Sequence, residues 1–506
     1  MPDTVEGLQS NSCDLVGYVV DNATPVSFRF VSPSPPLVGD YVVVEASPSP
    51  LLGLVKSVGT RSVTLASLPG VYDPVVVEKL RAEEGGDVFF ECTASLLGRV
   101  DSLEMPRLPP LPGARVCRAP VELLRHVFGG EPPHWISVGT LLSRPEIEVK
   151  VNVNKMVTRH TAILAVTGAG KSNTVAVVAD EIARIGGTVL IFDFHGEYVG
   201  SSIGGGVNRI EAKINPRLLS ITELMVLLGI EHRFYNQERV LRKALKRLGE
   251  KEVQGRFLED LKAEVEGIAV SASRRREEAT AAAAVVNKIE ALMERYGDIV
   301  DDSAPDPVAR LRPGRVNVID LSRVDEDAAD AVVSHVLRTL LWERKRHKLT
   351  GVSRVPYPIL VVLEEAHILA PRDDDTLSKY WLSRIAREGR KFGLGLMLVS
   401  QRPKALDPDI LGQANNLIVL RIVEPSDQRY IQEASESLSS DLVEQLPSLN
   451  VGEAVLVGPF VRVPALVKIR KFEGRLGGGD PDVVAEWQRH WSHLSENHGP
   501  LYSEFL

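Results

Sequence analysis

The chain has 506 residues, 44% hydrophobic and 25% charged, with a formal net charge of −8, a soluble globular composition long enough for two or three domains. No apolar run approaches the roughly 18 residues of a membrane span, and the N-terminal MPDTVEGLQSNSCDL lacks the basic-then-apolar layout of a secretion signal, so a cytoplasmic location without membrane insertion is expected. The acidic balance excludes a broad cationic surface, though not an enclosed channel in which a few basic side chains face phosphates.

Short β-type runs fill residues 14–100: LVGYVV, VSFRFV, GDYVVVEA, LLGLVKSV, VTLASL and DVFFECTASLLGRV. Their spacing predicts a small barrel or sandwich over residues 1–110. Cys13, Cys92 and Cys117 are scattered without C-x-x-C spacing and read as reduced thiols, with neither a disulfide frame nor a zinc site. The proline-rich MPRLPPLPGARVCRAP opens a linker assigned to residues 111–148. From Val149 the pattern becomes strand, glycine-rich turn, helix, strand, which is that of a parallel α/β sheet over residues 149–220. Residues 221–300 turn helical and highly charged, predicting an inserted bundle. The sheet resumes over residues 301–460 with RVNVIDLS, YPILVVLEEAH and LGLMLVSQRP; a hairpin-like pair, EAVLVG and PALVKIRKF, then crosses into a C-terminal brace and tail over 461–506.

The stretch TAILAVTGAGKSNT fits a phosphate loop, G-x-x-x-x-G-K-[ST], with Ala165 in the first glycine position. Gly168 and Gly170 let the backbone turn its N–H groups onto phosphates, and the following helix points its positive end at them. Thr167, Gly168, Ala169, Gly170, Lys171, Ser172 and Asn173 are the expected nucleotide-binding set, with Lys171 reaching the β- and γ-phosphates and Ser172 ligating Mg2+. PILVVLEEAH ends an apolar strand in Glu364 and Glu365: Glu364 is expected at the metal and Glu365 as the base that activates water. A bland reading, two solvated glutamates at a helix start, competes with this. Gln401, in SQRP, is either a sensor of the γ-phosphate or part of an ordinary strand-end turn. SRIAREGRKFG reads as a basic helix carrying Arg384, Arg387, Arg390 and Lys391. That face is solvated in an isolated chain, but in a ring it can present an arginine to a neighbour's ATP. Arg159, just before the phosphate-loop strand, raises the same possibility.

Taken together, RHTAILAVTGAGKSNT, IFDFHGEY, LEEAHILAP and SRIAREGRKFGLGLMLVSQRP resemble the HerA branch of the HerA/FtsK superfamily of hexameric DNA translocases. LGQANNLIVLRI and LPSLNVGEAVLVG agree with it, and the likeness covers nearly the whole chain. The resemblance implies an α/β fold: a RecA-like core with an N-terminal barrel and a helical insertion, closed by a C-terminal brace. It implies ATP and Mg2+ as cofactors, with Lys171 and Ser172 binding them and Glu364 beside the metal. Glu365 becomes the catalytic glutamate, Gln401 the sensor, Arg390 the trans-acting finger with Arg387 a rival, and Arg159 a further nucleotide-side arginine. Asp193 and Glu197 match an acidic stretch after the second core strand, where a turn satisfied by Asp193 is the competing reading. It further implies a homo-hexamer that threads double-stranded DNA through its pore in end resection for recombinational repair. The partners would be a NurA-type nuclease docked on the barrel and the recombination nuclease complex at DNA ends. Arg209 and Lys213 in one loop, and Arg372 and Lys379 in another, are candidate pore contacts.

Three other classes compete: a conjugation or secretion motor at a membrane, a rotary-ATPase subunit, and a nucleotide-gated scaffold. The missing membrane segment weighs against the first, SQRP and the paired glutamates against the second, and the placed base against the third.

Overall fold

Alternating apolar residues in the first hundred positions wrap into a closed barrel. The protein, seen as a computed structural model, is described for residues 13–478 and 482–489, apart from 63–74, 76–77, 79–87, 232, 251–255, 273–274, 298 and 436–437. The expected strand Val63–Leu68 and the tail beyond residue 489 lie outside the described residues. Among those described, β1 (Leu15–Val19), β2 (Ser27–Ser32), β3 (Tyr41–Val44), β4 (Leu51–Ser62), β5 (Val88–Arg99) and β6 (Arg115–Arg118) close in the order β1-β2-β5-β4-β3-β6. Phe28, Phe30, Val42, Val44, Val55 and Val116 fill the interior.

The closing strand β6 lies beyond the boundary expected at residue 110. Prolines on both sides hid it, because a four-residue strand between prolines shows no period of its own. β1 pairs with β6 in a register that sets Leu15 opposite Cys117, and this brings Cys13 within 5.7 Å (Cα to Cα) of Cys117. The two form a disulfide, which corrects the reading of all three cysteines as free thiols; Cys92 alone is free, and buried. Sequence spacing could not show the pair, because strand closure across a separation of 104 residues creates it.

The barrel packs onto the core through its second face. Tyr41, Val43, Leu52 and Leu54 point away from the barrel interior into the main apolar core. The Tyr41 hydroxyl donates to the Pro464 carbonyl at 2.9 Å, and Lys56 pairs with Asp441.

The core is one sheet, eleven-stranded among the described residues, in the order β11-β12-β10-β13-β14-β9-β15-β16-β17-β7-β8. Its strands are β7 (Trp135–Leu141), β8 (Glu148–Asn152), β9 (Thr161–Leu164), β10 (Thr188–Asp193), β11 (Asn208–Glu211), β12 (Val316–Asp320), β13 (Ile359–Leu363), β14 (Leu394–Ser400), β15 (Asn416–Val419), β16 (Glu453–Val457) and β17 (Ala465–Ile469). From β11 to β15 every pairing is parallel; from β15 to β8 every pairing is antiparallel. The parallel strands β9, β10, β12, β13 and β14 are buried throughout, as strands covered by helices on both faces must be. Each fully buried Val, Leu or Ile there contributes roughly 1.5–3 kcal/mol. β7, from the segment read as a linker, is a hydrogen-bonded member of this sheet beside β8, which opens the expected core.

Four helices, Ile221–Leu227, Tyr235–Gly249, Phe257–Ser271 and Arg276–Tyr296, form the charged insertion. Leu241, Leu261, Val265, Val285 and Ile289 make its buried seam, while most of its charged residues face out. The buried Glu223 carboxylate accepts the Ser220 N–H in a capping box and pairs with Arg338, tying the bundle to the long helix Glu326–Thr350.

Candidate nucleotide site

Sheet order brings the chemistry together. β9 lies between β14 and β15, with β13 next to β14 and β10 next to β13. Their C-terminal ends therefore open on one crevice, the place where open α/β sheets hold ligands. β9 leads into the phosphate loop, whose Gly168 (φ 76°) and Gly170 (φ 110°) occupy left-handed backbone. A Cβ at Gly168 would meet nothing within 4 Å, so the need for glycine there is conformational. Ala165 is fully buried, and its N–H reaches the Ser400 carbonyl at 3.2 Å; it lines the sheet, not the phosphate side.

Lys171 opens the helix Lys171–Arg184, and its Nζ lies 3.5 Å from the Ala165 carbonyl. Burial lowers its pKa, and the opposing pull comes from Glu365, Glu364 and Glu197, so three acidic side chains act on this ammonium from a distance. Glu364 is 5% exposed. Burial, helped by the charges of Asp193 and Glu197, holds its carboxyl well above the usual range. The Tyr198 hydroxyl, fully buried, sits against Ser172 and Glu364 without a well-formed hydrogen bond to either, and burial suppresses its ionisation. Glu197 Oε2, Glu364 Oε2 and Glu365 Oε2 likewise accept no hydrogen bond. Buried acceptors left over beside Ser172 are a donor set that suits a hard divalent cation. Among the described residues, no group of three or more His, Cys, Asp or Glu is arranged to hold a metal alone.

Glu365 leaves β13 with φ 42° and ψ 46°, a left-handed conformation that costs a non-glycine residue about 1–3 kcal/mol. The bend turns its side chain into the crevice between His195 and His367. Gln401 follows β14, and its Oε1 accepts the Thr167 hydroxyl at 2.6 Å, so the strand-end glutamine touches the phosphate loop directly.

The family described as "Helicase HerA, central domain" matches residues 136–340. The DNA double-strand break repair helicase HerA of Saccharolobus solfataricus is 41% identical over 490 residues, covering 94% of this chain and 96% of that protein. The chain belongs to the HerA family. The Pyrococcus furiosus HerA is 34% identical, with 94% of this chain and 97% of that one covered. Among solved structures, VirB4 of Thermoanaerobacter pseudethanolicus superposes with a TM-score of 0.50 at 17% identity, over 68% of this chain and 98% of that one, a likeness of fold. This HerA-family protein is a P-loop ATPase, and ATP is its nucleotide. No helix among the described residues is long and apolar enough to cross a membrane.

Several residues singled out in the HerA-family sequence sit differently from expectation. Arg390 and Lys391 are not on the basic helix: it ends at Glu388, and Gly389–Phe392 is a tighter 3-10 turn closed by Gly393 at φ 67°. Arg384 is committed to Glu388 at 2.8 Å, whereas the exposed side chains of Arg387 and Arg390 make no hydrogen bond or ion pair among the described residues. His160 fixes this region to β9. Its Nδ1 accepts the Leu396 N–H, its Nε2 faces the Ala386 carbonyl, and burial pushes its pKa down to about 4. Arg159, half-buried, precedes it.

Asn173 faces the C-terminal segment and not the phosphate loop: its amide donates to the Arg470 carbonyl at 2.9 Å and accepts the Phe472 N–H at 2.8 Å. Its side chain clasps that segment. Asn173→Ala should destabilise that segment by about 1–3 kcal/mol, the cost of stranding two backbone groups. Faster limited proteolysis near residues 470–478 with ATP affinity within about two-fold of the parent would show this; a large loss of ATP affinity would restore Asn173 to the binding set.

The candidate pore residues are largely engaged within the chain. Arg209 lies in edge strand β11 and pairs with Asp320 at 2.8 Å. Lys379 is held by Asp407 and Asp375, and Arg372 lies over the Tyr430 ring. Asp193 satisfies the turn that follows it, accepting the N–H groups of Glu197, Tyr198 and Val199, and so leaves Glu197 as the acidic residue aimed at the site. His195, Tyr198, Ser400 and His367 went unassigned by sequence reasoning. The available signal was their position inside the quoted HGEY, EEAH and SQRP stretches.

Proposed function

We propose that this protein is an ATP-driven motor on double-stranded DNA, acting as a homo-hexameric ring in DNA end resection for break repair. The observation that carries the reading is the cluster of Lys171, Glu364, Glu365 and Glu197 at one strand-end crevice, in a chain 41% identical over nearly its whole length to a DNA double-strand break repair helicase. Lys171 binds the β- and γ-phosphates, Ser172 and Glu364 hold Mg2+, and Glu365 takes the proton of the attacking water. Bound Mg2+ supplies charge neutralisation at the phosphates. Arg390, with Arg387 as rival and Arg159 nearby, acts on a neighbouring subunit's nucleotide; the absence of intrachain partners for Arg387 and Arg390 supports this. The barrel is the docking face for a NurA-type nuclease, and the recombination nuclease complex is a further partner at DNA ends.

The test is steady-state ATP hydrolysis by the full chain with and without linear duplex DNA, alone and with the nuclease. Stimulation by duplex in either setting is the expected result. A rate indifferent to DNA in both would overturn the reading and return the protein to the wider class of P-loop motors.

A further inference from the structure

Glu365 is 7% exposed, so protein surrounds its carboxylate on nearly every side. Oε1 lies 3.5 Å from His195 Nε2, and Oε2 lies 3.3 Å from His367 Nδ1. The two imidazoles are not equivalent. The His195 side chain is 55% exposed and that of His367 only 12%. His367 Nδ1 also meets Ser400 Oγ at 3.2 Å, at the buried end of β14. Ser400 Oγ in turn accepts the Arg402 N–H at 3.1 Å.

The proton on His367 is assigned from these surroundings. Nδ1 faces a carboxylate oxygen, and two lone pairs opposed at that distance would repel. Nδ1 therefore carries hydrogen: its aligned acceptor is Ser400 Oγ, and Glu365 Oε2, 3.3 Å away but outside hydrogen-bond alignment, meets the same N–H as a charge–dipole contact of the kind that tightens once substrate is bound. Burial keeps the ring on the neutral side, against the pull of the Glu365 charge. A carboxylate on a left-handed backbone at the end of a strand needs such an outside hold to keep one direction.

The contact continues in the other direction along the chain. Gln401, the neighbour of Ser400, accepts the Thr167 hydroxyl of the phosphate loop. Thr167, Gln401, Ser400, His367 and Glu365 thus form one connected path from the nucleotide loop to the acid that faces it.

We propose that His367 is a positioning residue for ATP hydrolysis: it orients the Glu365 carboxylate through Nδ1 and ties it to Ser400, so that the phosphate-loop contact of Gln401 and the aim of the base change together. This rests on Glu365 being the general base. His367 itself transfers no proton to or from the reacting water.

The experiment measures kcat and KM for ATP, in the full chain with linear duplex DNA, for His367→Ala, His367→Asn, Ser400→Ala, Glu365→Gln and the double variant His367→Ala with Glu365→Gln. His367→Ala should lower kcat by up to about 10²-fold, the effect of a misplaced reacting group, with KM within about two-fold of the parent. His367→Asn keeps a donor near Nδ1 but has no basic nitrogen, and it should recover most of kcat. The double variant should be no slower than Glu365→Gln alone, because both changes act through one carboxylate. Ser400→Ala covers the case in which His367→Ala does not fold, and should lower kcat at constant KM.

Unchanged kcat in His367→Ala, or in Ser400→Ala where the former does not fold, would overturn the proposal. So would parallel losses in kcat and ATP affinity without recovery in His367→Asn. The outcome for Glu365→Gln separates the two levels. If that variant keeps kcat within about ten-fold of the parent, the base assignment falls. If it is inactive while His367→Ala matches the parent, only the positioning role falls.

Discussion

Glu365→Gln should lower ATP hydrolysis by about 10²–10⁴-fold while leaving nucleotide binding intact, because the amide keeps the shape of the side chain but cannot take a proton. The site makes this a clean substitution. Glu365 is one of three carboxylates around Lys171, and it is Glu364, deeper and beside Ser172 and Tyr198, that faces the expected metal position. Replacing Glu365 thus removes a proton acceptor without emptying the metal side. Single-turnover hydrolysis together with binding of a fluorescent nucleotide separates the two effects. If binding collapses along with hydrolysis, Glu365 belongs to the binding set and the division of labour between the two glutamates is wrong.

Arg390→Ala should cost on the order of 10³-fold or more in hydrolysis, the range seen for arginines that act in trans on a transferring phosphoryl group. The loss should be partly recovered when the variant is mixed with Glu365→Gln subunits. In such a mixture a site can draw its base from one subunit and its arginine from the next. The geometry supports a search among few candidates: Arg384 is spent on Glu388, whereas Arg387 and Arg390 are exposed and unpaired among the described residues. The turn that carries Arg390 is braced, since His160 binds both Ala386 before it and Leu396 after it. Absence of recovery in mixed rings would remove Arg390, and the same assay on Arg387→Ala then decides for or against its rival.

Much of this was legible without coordinates. Gly168, Gly170, Lys171 and Ser172 are spaced as a strand-loop-helix phosphate site requires. PILVVLEE and LGLMLVSQ are apolar runs of strand length ending in the polar residues that matter. Their order along the chain carried the family resemblance. The charged helices of residues 221–300 announced themselves by helical period and composition. These are local properties, in which each residue's role follows from neighbours a few positions away.

The tertiary structure decided everything that depends on contact across long separations. The sixth barrel strand and the Cys13–Cys117 bond exist because β1 returns to β6. Asn173 became a clasp because β17 leads Arg470 and Phe472 back over the phosphate-loop helix. Arg209 pairs with Asp320 because β11 and β12 are neighbours, a contact 111 positions apart in the chain. His195 and His367 flank one carboxylate because β10 and β13 are hydrogen-bonded neighbours, although 172 positions separate the two histidines. Sequence by itself determined which elements form and which of their ends carry chemistry, since strand and helix periods and turn residues act over a few positions. Sheet order and register determined which of those ends meet, because a side chain's neighbours across a sheet are set by strand pairing, on which the intervening sequence is silent.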